Sequence, residues 1–419
     1  MWLTGALFVL LALLGAPLFA IIGASAMLGF TSADIDLSVV AIEFFGLSET
    51  PILVAIPLFT FAGFLLSEGQ APRRLVRLSQ ALLGWLPGGL AMISLAACAL
   101  FTAFTGASGV TIIALGALLY PALTQAGYTE RFSLGLITSS GSLGLLFAPS
   151  LPLILYGIVA EAPVDDLFLA GALPGLLMLA LLMIYSYALN RHVAVTRSAA
   201  PLREVFAAIN EAKWELPLPI VVLGGIYSGY FAVSEAAAVT ALYVLIVEMA
   251  ILREIPWAKL PHVMRESMVL VGAILVILGV SLASTNYMID AGVPQRLFAA
   301  VNEYVTGPTT FLIALLVFFL ILGAILDIFS ATVLVVPLIL PIAAQYGIHP
   351  IHLGILFLAA MELGYLTPPV GLNLFISSHR FNKDIGEIYW ATQPFLIVLL
   401  ISVVIIAFWP ELSLVLIDD

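Results

Sequence analysis

Residues 142–156 read SLGLLFAPSLPLILY, and residues 362–376 read ELGYLTPPVGLNLFI. The two stretches lie about 220 residues apart, and each interrupts a hydrophobic run with glycine and proline. Such residues free backbone groups that lipid cannot satisfy, so these breaks persist in a membrane only where protein or a cavity surrounds them. Matching breaks in two halves of a chain indicate the midplane binding site of a transporter.

The correspondence between the halves extends beyond the two breaks. The same spacing pairs Pro121 with Pro341, Gly127 with Gly347, Gly144 with Gly364, Pro149 with Pro369, and Pro174 with Pro394. Self-similarity at a fixed spacing indicates an internal repeat.

The composition is that of an integral membrane protein. Of the 419 residues, 63% are hydrophobic and 9% are charged, whereas a soluble domain carries about 25% charged residues. The net charge of −11 argues against a nucleic-acid partner. The single cysteine, Cys98, excludes a disulfide framework and a cysteine-based metal site. The first 28 residues lack a basic start and a cleavage site, so we expect a retained helix there.

Hydropathy defines the apolar segments, and lysine and arginine orient them. The predicted spans are 3–28, 37–69, 132–160, 167–190, 215–231, 234–251, 267–289, 352–378 and 388–409. With the basic clusters placed in the cytoplasm, the orientation is consistent only if the apolar blocks 85–122 and 308–343 do not cross. Each block has a polar break at its centre, TGASG at 105–109 and DIFSAT at 327–332. We therefore predict two re-entrant hairpins.

The resulting fold class is an all-α membrane protein with an inverted-topology repeat, two re-entrant hairpins and two broken transmembrane helices. The N-terminus is predicted in the cytoplasm and the C-terminus outside. The unpaired span at 215–231 inverts the second half. Amphipathic stretches at 70–83 and 293–303 are expected to lie along the membrane interface, and residues 191–214 link the halves.

Four polar breaks fall at mid-membrane depth: the two hairpin tips and the stretches 139–150 and 362–373. Unwound backbone carbonyls are suited to Na⁺, whereas half-helix N-termini favour anionic substrate groups. One hairpin tip beside one broken helix can build one such site. The repeat therefore predicts two sites.

Asp327 is the only acid in its hairpin, far from either end. An isolated carboxylate at the centre of a bilayer is costly, which points to a function. Two roles are open, a cation ligand and an N-cap on a half-helix. For Glu362, a cation or proton site and a structural role beside a neighbour or a water-filled crevice are both open.

An enzymatic hypothesis arises at the first tip, because Gly106-Ala107-Ser108-Gly109 fits the GxSG pattern of rhomboid-type intramembrane proteases. A serine nucleophile needs a base within hydrogen-bond reach. All histidines are predicted at membrane edges or in loops: His192, His262, His349, His352 and His379. The protease hypothesis is therefore disfavoured, and no enzymatic activity is expected.

Several motifs resemble the large membrane subunit, of DctM type, of tripartite ATP-independent periplasmic (TRAP) transporters. They are IPLFTFAGFLL at 56–66, APSLPLILYG at 148–157, LDIFSATVLVVPLILPIAAQYG at 326–347, and TPPVGLNLF at 367–375. The resemblance runs over nearly the whole chain.

The resemblance implies a sodium-coupled importer in the bacterial inner membrane, in which a mobile domain slides as an elevator against a scaffold. Its partners would be a small four-helix membrane subunit and a periplasmic binding protein that captures an organic acid. Na⁺ would be the coupling ion, and no other cofactor is expected. The resemblance also implies a division of the chain. Scaffold helices would occupy 1–84, with the first arm, and 165–307, with the linker and the second arm. The transport domain would consist of 85–164 and 308–380, each a hairpin and a broken helix, and residues 381–419 would form the C-terminal helix.

Carried onto this chain, the resemblance and the four breaks give two sets of site residues. The expected sodium ligands are Thr105, Gly106, Ser108, Ser139, Ser140, Gly144, Asp327, Ser330, Thr332, Gly364, Thr367 and Gly371. The expected substrate residues are Ser142, Pro149, Ser150, Glu362, Pro368 and Asn373.

Two features of the sequence limit what the resemblance implies about the partner and the substrate. No small-subunit sequence is fused to the chain, so that partner would be separate. No arginine or lysine lies in the hairpins or breaks, so an anionic substrate would rely on backbone donors, hydroxyls and helix dipoles. A zwitterion, a polar neutral solute, and a self-sufficient sodium/carboxylate symporter of similar architecture all stay open.

Overall fold

The computed structural model describes residues 7–8, 10–12, 14–83, 88–191, 202–305 and 307–417. All regular structure in these residues is helical. Parts of the predicted N-terminal span, of the block 85–122 and of the linker 191–214 lie outside the described residues. Eight of the described helices are long and apolar enough to cross a membrane, or nine if the bent pair 130–159 counts as one span.

In the first half and the connection, twelve α-helices have defined bounds among the described residues. They are α1 (Leu18–Ser32), α2 (Ser38–Gly46), α3 (Ala55–Glu68), α4 (Ala71–Leu83), α5 (Gly89–Thr105), α6 (Ser108–Gln125), α7 (Glu130–Ser140), α8 (Leu151–Val159), α9 (Val164–Ala170), α10 (Ala172–Asn190), α11 (Leu202–Glu211) and α12 (Pro217–Tyr227).

The second half follows the same plan. Its helices are α13 (Val233–Ile246), α14 (Leu260–Asp290), α15 (Val293–Tyr304), α16 (Pro308–Ile325), α17 (Ile328–Gln345), α18 (Pro350–Gly364), α19 (Leu372–Phe381), α20 (Ile385–Phe408) and α21 (Glu411–Leu414). The two predicted hairpins are α5–α6 and α16–α17, and the two broken helices are α7/α8 and α18/α19. The fold class is confirmed.

The turns that follow the hairpins show the repeat at the level of single residues. Gly127 and Gly347 have φ values of 92° and 74°, a left-handed conformation that glycine adopts without steric cost. The next helix is capped by a side chain in each half. Thr129 accepts from the N–H of Phe132 at 3.3 Å, and His349 Nδ1 accepts from that of Ile351 at 3.2 Å. The glycines that match between the two halves of the sequence therefore form equivalent turns in the structure.

The described helices pack as two groups. The scaffold group is α1–α3 and α12–α14, in which α14 packs against α1, α2 and α3, and α13 against α3 and α12. The hairpin group is α5–α10 and α16–α21, in which α10 packs on α20 and α5, and α20 packs on α7. Helices α10 and α20 therefore pack with the hairpins. The division into fixed and moving parts stays a prediction.

The two halves interlock within the hairpin group. The second helix of each hairpin packs against the second part of the other half's broken helix: α6 contacts α19, and α17 contacts α8. The groups meet at two places: α3 packs on α5, the first helix of its hairpin, and α14 packs on α17, the second helix of its hairpin. Each half thus contributes one wall to the space between the groups.

Three elements differ from the sequence prediction. The predicted helix at 3–28 is interrupted at residues 14–17, and α1 begins at Leu18 and ends at Ser32. The segment 37–69 is interrupted: α2 is followed by short 3₁₀ turns at Leu47–Glu49 and Pro51–Val54 before α3 begins. Pro51 lacks a backbone N–H and so favours a new helical start. The span 267–289 is part of the longer α14, which begins earlier, at Leu260, with Pro261 in the first turn, where proline is tolerated.

The second hairpin and the second broken helix approach most closely at two glycines. A Cβ added to Gly364 would lie 2.3 Å from the carbonyl carbon of Gly323, so we expect Gly364→Ala to force α16 and α18 apart and to destabilise the protein by about 1–3 kcal/mol. Thermal unfolding of the purified protein measures this. Gly272→Ala in α14 is the matched control, because nothing lies within 4 Å of its added Cβ. Equal melting temperatures for the two variants would contradict the close packing.

Candidate functional site

The first hairpin tip, residues 106–107, lies beside the first break, residues 141–150. The Thr102 hydroxyl on α5 lies 2.7 Å from the Thr111 hydroxyl on α6 and 2.9 Å from the carbonyl oxygen of Gly141. A Cβ on Gly144 would lie 2.2 Å from the carbonyl oxygen of Ala99. The predicted pairing of one tip with one break is therefore present in the first half.

The first tip exposes oxygen atoms and helix N–H groups. Gly106 has a φ of 63°, and α6 then begins at Ser108 without a side-chain cap. The Thr105 hydroxyl is buried without a hydrogen-bond partner in the described structure. In the adjoining helix, the Ser139 hydroxyl donates to the Gly135 carbonyl at 2.7 Å, and that of Ser140 to Ile137 at 3.2 Å. Those two hydroxyls retain lone pairs that can accept or bind a cation.

The second tip, residues 326–327, is closed by Asp327. Its Oδ1 accepts from the N–H groups of Phe329 and Ser330, both at 3.0 Å, and its Oδ2 accepts from the Ser330 hydroxyl at 2.5 Å. Asp327 is therefore the N-cap of α17, one of the two roles left open by the sequence. A carboxylate has about four lone-pair sites, so these three bonds leave capacity for a cation.

The second tip is bonded to the second break, residues 365–371. The N–H of Ile328 donates to the Tyr365 hydroxyl at 2.9 Å, and the N–H of Val370 donates to the Ala324 carbonyl at 3.0 Å. Gly371 has a φ of 55° and precedes α19. The peptide bonds Ala148–Pro149 and Pro368–Pro369 are both cis. The two halves thus build two tip-and-break assemblies.

All the expected sodium ligands fall in these assemblies. The first holds Thr105, Gly106, Ser108, Ser139, Ser140 and Gly144, and the second holds Asp327, Ser330, Thr332, Gly364, Thr367 and Gly371. In the second assembly, the Thr332 hydroxyl donates to the Ile328 carbonyl at 2.5 Å and that of Thr367 to Leu363 at 2.8 Å. Their role as ligands stays a prediction.

Asn373 connects the second broken helix to the first. Its Nδ2 lies 3.3 Å from the Thr138 carbonyl oxygen and 3.4 Å from the Ser142 hydroxyl. A second contact joins the Thr138 hydroxyl to that of Ser377 at 2.8 Å. Two of the expected substrate residues therefore touch each other across the halves.

Glu362 is the most isolated acid of the site region. Its side chain is 1% exposed, and neither carboxyl oxygen has a hydrogen-bond partner in the described part of the chain. A charged carboxylate without a partner is costly in such surroundings. The surroundings of Glu362 therefore fit a neutral carboxyl group better than a charged carboxylate.

A cavity of about 400 Å³ lies where the two tips face the scaffold group. Residues 106–110 and 327–329 form its hairpin walls, Tyr365 adds a hydroxyl, and Phe64 of α3 and Leu270 of α14 close the scaffold side. This volume falls in the range of small-molecule sites. Among the described residues that line it, Asp327 is the only charged one.

The expected substrate residues do not line this cavity. None of the six forms its wall: Ser142, Pro149, Ser150, Glu362 and Asn373 are buried and Pro368 is exposed. Sequence reasoning missed Phe64 and Leu270, and it missed Thr102 and Thr111 as the link between hairpin and break. For the threonines a signal was available, since both are hydroxyls close to the TGASG tip.

The family model for the DctM component of tripartite ATP-independent periplasmic transporters matches residues 4–412. The chain belongs to this family. A C4-dicarboxylate TRAP transporter large permease protein DctM of Pseudomonas aeruginosa is 35% identical over 90% of this chain and 88% of its own length. An isethionate TRAP transporter permease protein DctMQ of Oleidesulfovibrio alaskensis is 32% identical over 97% of this chain and 65% of its own length.

Comparison with solved structures supports the fold. The crystal structure of the Alcanivorax borkumensis YdaH transporter covers 99% of this chain with a TM-score of 0.58 at 18% identity, a likeness that shows the fold alone. Because the DctM relatives are permease subunits, this chain is a multi-pass membrane transport protein and not an enzyme. The protease hypothesis at Ser108 is thereby set aside.

The capping role of Asp327 predicts a difference between two substitutions. Asp327→Ala removes the acceptor of two backbone N–H groups, so we expect a loss of about 1 kcal/mol of stability. Asp327→Asn keeps an N-cap acceptor of similar strength and should unfold close to the wild-type temperature when Na⁺ is absent. Thermal unfolding in sodium-free buffer measures both. Identical unfolding of Asp327→Ala and the wild type would show that the cap is not stabilising.

Proposed function

We propose that this chain is the substrate-translocating subunit of a sodium-coupled, binding-protein-dependent importer of small organic acids. Its place would be the bacterial inner membrane, with the N-terminus in the cytoplasm and the C-terminus in the periplasm. The observation that carries the proposal is the cavity between the two hairpin tips and the scaffold group, lined by Asp327 and Ser108 on one side and by Phe64 and Leu270 on the other.

Sodium coupling is supported by the oxygen atoms at the two assemblies. The first offers the unpartnered Thr105 hydroxyl beside the left-handed Gly106 backbone. The second offers the Asp327 carboxylate, which keeps acceptor capacity after capping α17. Hydroxyl, carbonyl and carboxylate oxygens are the ligands that hard cations prefer. We infer one Na⁺ at each assembly.

An organic anion would be held without a basic side chain. Helix α6 begins near the cavity without a side-chain cap, so the N–H groups of its first turn can donate to a carboxylate. Helix α19 also begins there, but the N–H groups of Asn373 and Leu374 already donate to the carbonyl oxygens of Tyr365 and Gly371. The aligned backbone dipoles favour negative charge at the same positions. The relatives named for C4-dicarboxylates and isethionate carry anionic solutes, which supports this class. The same donors also suit the carboxylate of a zwitterion.

An elevator motion is supported by the separation into two helix groups. The hairpin group carries both assemblies, and it meets the scaffold group along two interfaces, α3 with α5 and α14 with α17. The amphipathic helices α4 and α15 connect the groups and would serve as arms. Movement of the hairpin group would carry the cavity from one side of the membrane to the other.

The proposal predicts that uptake depends on three proteins and on Na⁺. The permease should be reconstituted in proteoliposomes with a separate small membrane subunit and a periplasmic binding protein from the same genome. We expect accumulation of a labelled organic acid in response to an inward Na⁺ gradient, and none when either partner or the gradient is omitted. Uptake by the permease alone would instead favour a self-sufficient sodium/carboxylate symporter.

The second assembly predicts a specific effect of Asp327 on Na⁺. Because Asp327→Asn retains the cap but removes the charge, we expect the complex to assemble and Na⁺ stimulation of uptake to be abolished. Asp384→Asn is the matched control, since it makes the same change at the N-cap of α20, outside both assemblies. Unchanged Na⁺ dependence in Asp327→Asn would remove this residue from the sodium site.

A further inference from the structure

A buried charge cluster joins the first arm to the scaffold group. Arg74 lies in the first turn of α4 and is 6% exposed. It forms ion pairs with Glu215 at 2.5 Å and Glu248 at 3.4 Å, and a third with Glu254. The N–H of Gln70 also donates to Glu254, at 2.6 Å. One guanidinium therefore contacts three carboxylates.

These carboxylates come from three separate places in the scaffold. Glu215 precedes α12, Glu248 lies in the π-helical turn that ends the α13 span, and Glu254 lies in the loop before α14. Gly69 makes room for the cluster, because a Cβ there would lie 2.4 Å from Glu248 Oε2. The start of α4 is therefore held at several points of the scaffold group at once.

The charge state of Arg74 is consistent with a strong connection. Burial alone would lower the pKa of Arg74, but its hydrogen bonds to Glu254 and Glu215 raise that pKa above the usual value. Arginine can engage several carboxylates because its planar guanidinium presents five donors in fixed directions. Lysine carries the same charge at a single point and cannot reproduce this set of contacts.

The rest of α4 packs on elements other than this cluster. Leu75 and Val76 belong to the same hydrophobic core as Ala91 and Leu95 of the first hairpin. Farther along, Leu78 and Ala81 pack on α11. The first arm is therefore held by ion pairs at its first turn. It then packs against the hairpin at Leu75 and Val76, and against α11 farther along.

In the part of the chain that the structure describes, the second arm has no equivalent cluster. Arg296 is the fourth residue of α15, as Arg74 is the fourth residue of α4, but Arg296 is exposed. Its guanidinium donates to the carbonyl oxygens of Ala291 at 2.6 Å and Gly292 at 3.4 Å, both in the turn just before its own helix. The ionic attachment is thus a property of the first arm and not of the repeat.

We propose that Arg74 is a positioning residue for transport, which fixes the start of the first arm to the scaffold group so that the hairpin group moves about a defined point. This inference rests on the proposed elevator function. It assigns Arg74 no contact with substrate or Na⁺, because neither the cavity nor the two assemblies include it.

The test compares two arginines on the same arm. Arg74→Lys keeps the charge but loses the multiple contacts, whereas Arg77→Gln removes an exposed ion pair to Glu211 and serves as the matched control. Exposed pairs of this kind contribute little. Each variant is reconstituted with both partner proteins, and Na⁺-driven uptake is measured per folded transporter, together with the Na⁺-induced shift of the melting temperature.

We expect Arg74→Lys to lower the maximal uptake rate by about tenfold, since buried ion pairs depend strongly on complete contacts. Its half-saturating Na⁺ concentration and its Na⁺-induced melting shift should equal those of the wild type, because both assemblies are untouched. Arg77→Gln should transport at the wild-type rate. Glu254→Ala provides a second variant that leaves Arg74 paired with two carboxylates and should lower the maximal rate without unfolding the chain.

Three results would overturn the inference. If the wild type transports and Arg74→Lys matches Arg77→Gln, the positioning role is wrong and the proposed function stands. If Arg74→Lys loses the Na⁺-induced melting shift, the cluster supports the sodium assemblies and not the arm. If the wild-type complex shows no Na⁺-driven uptake, the proposed function fails and this inference fails with it.

Discussion

A backbone in a lipid bilayer has no water to satisfy its hydrogen-bonding groups, and the architecture of this protein follows from that constraint. The breaks at 141–150 and 365–371 leave helical geometry within two apolar stretches, where lipid cannot supply hydrogen-bond partners. The hairpins supply them: Thr102 reaches the Gly141 carbonyl, and the Ala324 carbonyl receives the N–H of Val370. A broken helix and its hairpin are therefore one structural unit, because neither could be left exposed to lipid alone.

Much of the fold could be predicted because its signals are local or periodic. Glycine and proline at matched spacing identified the breaks, and the distribution of lysine and arginine identified the two blocks that do not cross. The interruption of 37–69 was missed, although the polar residues 48–50 and Pro51 stand where the 3₁₀ turns divide the segment. The placement of α10 and α20 with the hairpins depends on packing between distant segments, which hydropathy does not encode.

The candidate site was predicted in part for the same reason. Asp327 was identifiable because a lone acid in an apolar block is conspicuous, and its capping role was one of two that the residue type allows. The contacts of Asn373 with Thr138 and Ser142 join residues more than two hundred positions apart. Such pairs cannot be read from spacing, because they depend on how the halves interlock. The scaffold side of the cavity wall was missed likewise, since Phe64 and Leu270 are ordinary apolar residues until the scaffold is folded.

The crosswise packing of the halves, α6 on α19 and α17 on α8, has a consequence for the chain as a whole. Two separate copies of one half could form the same contacts only if half of the molecules inserted in each orientation. Joining the halves in one polypeptide fixes that ratio at one to one. It also frees each half to diverge, and here the divergence is visible in the described residues: only the first arm is held by a buried arginine cluster, and only the second tip is capped by an acid. A molecule built from identical halves could not carry two such specialised ends.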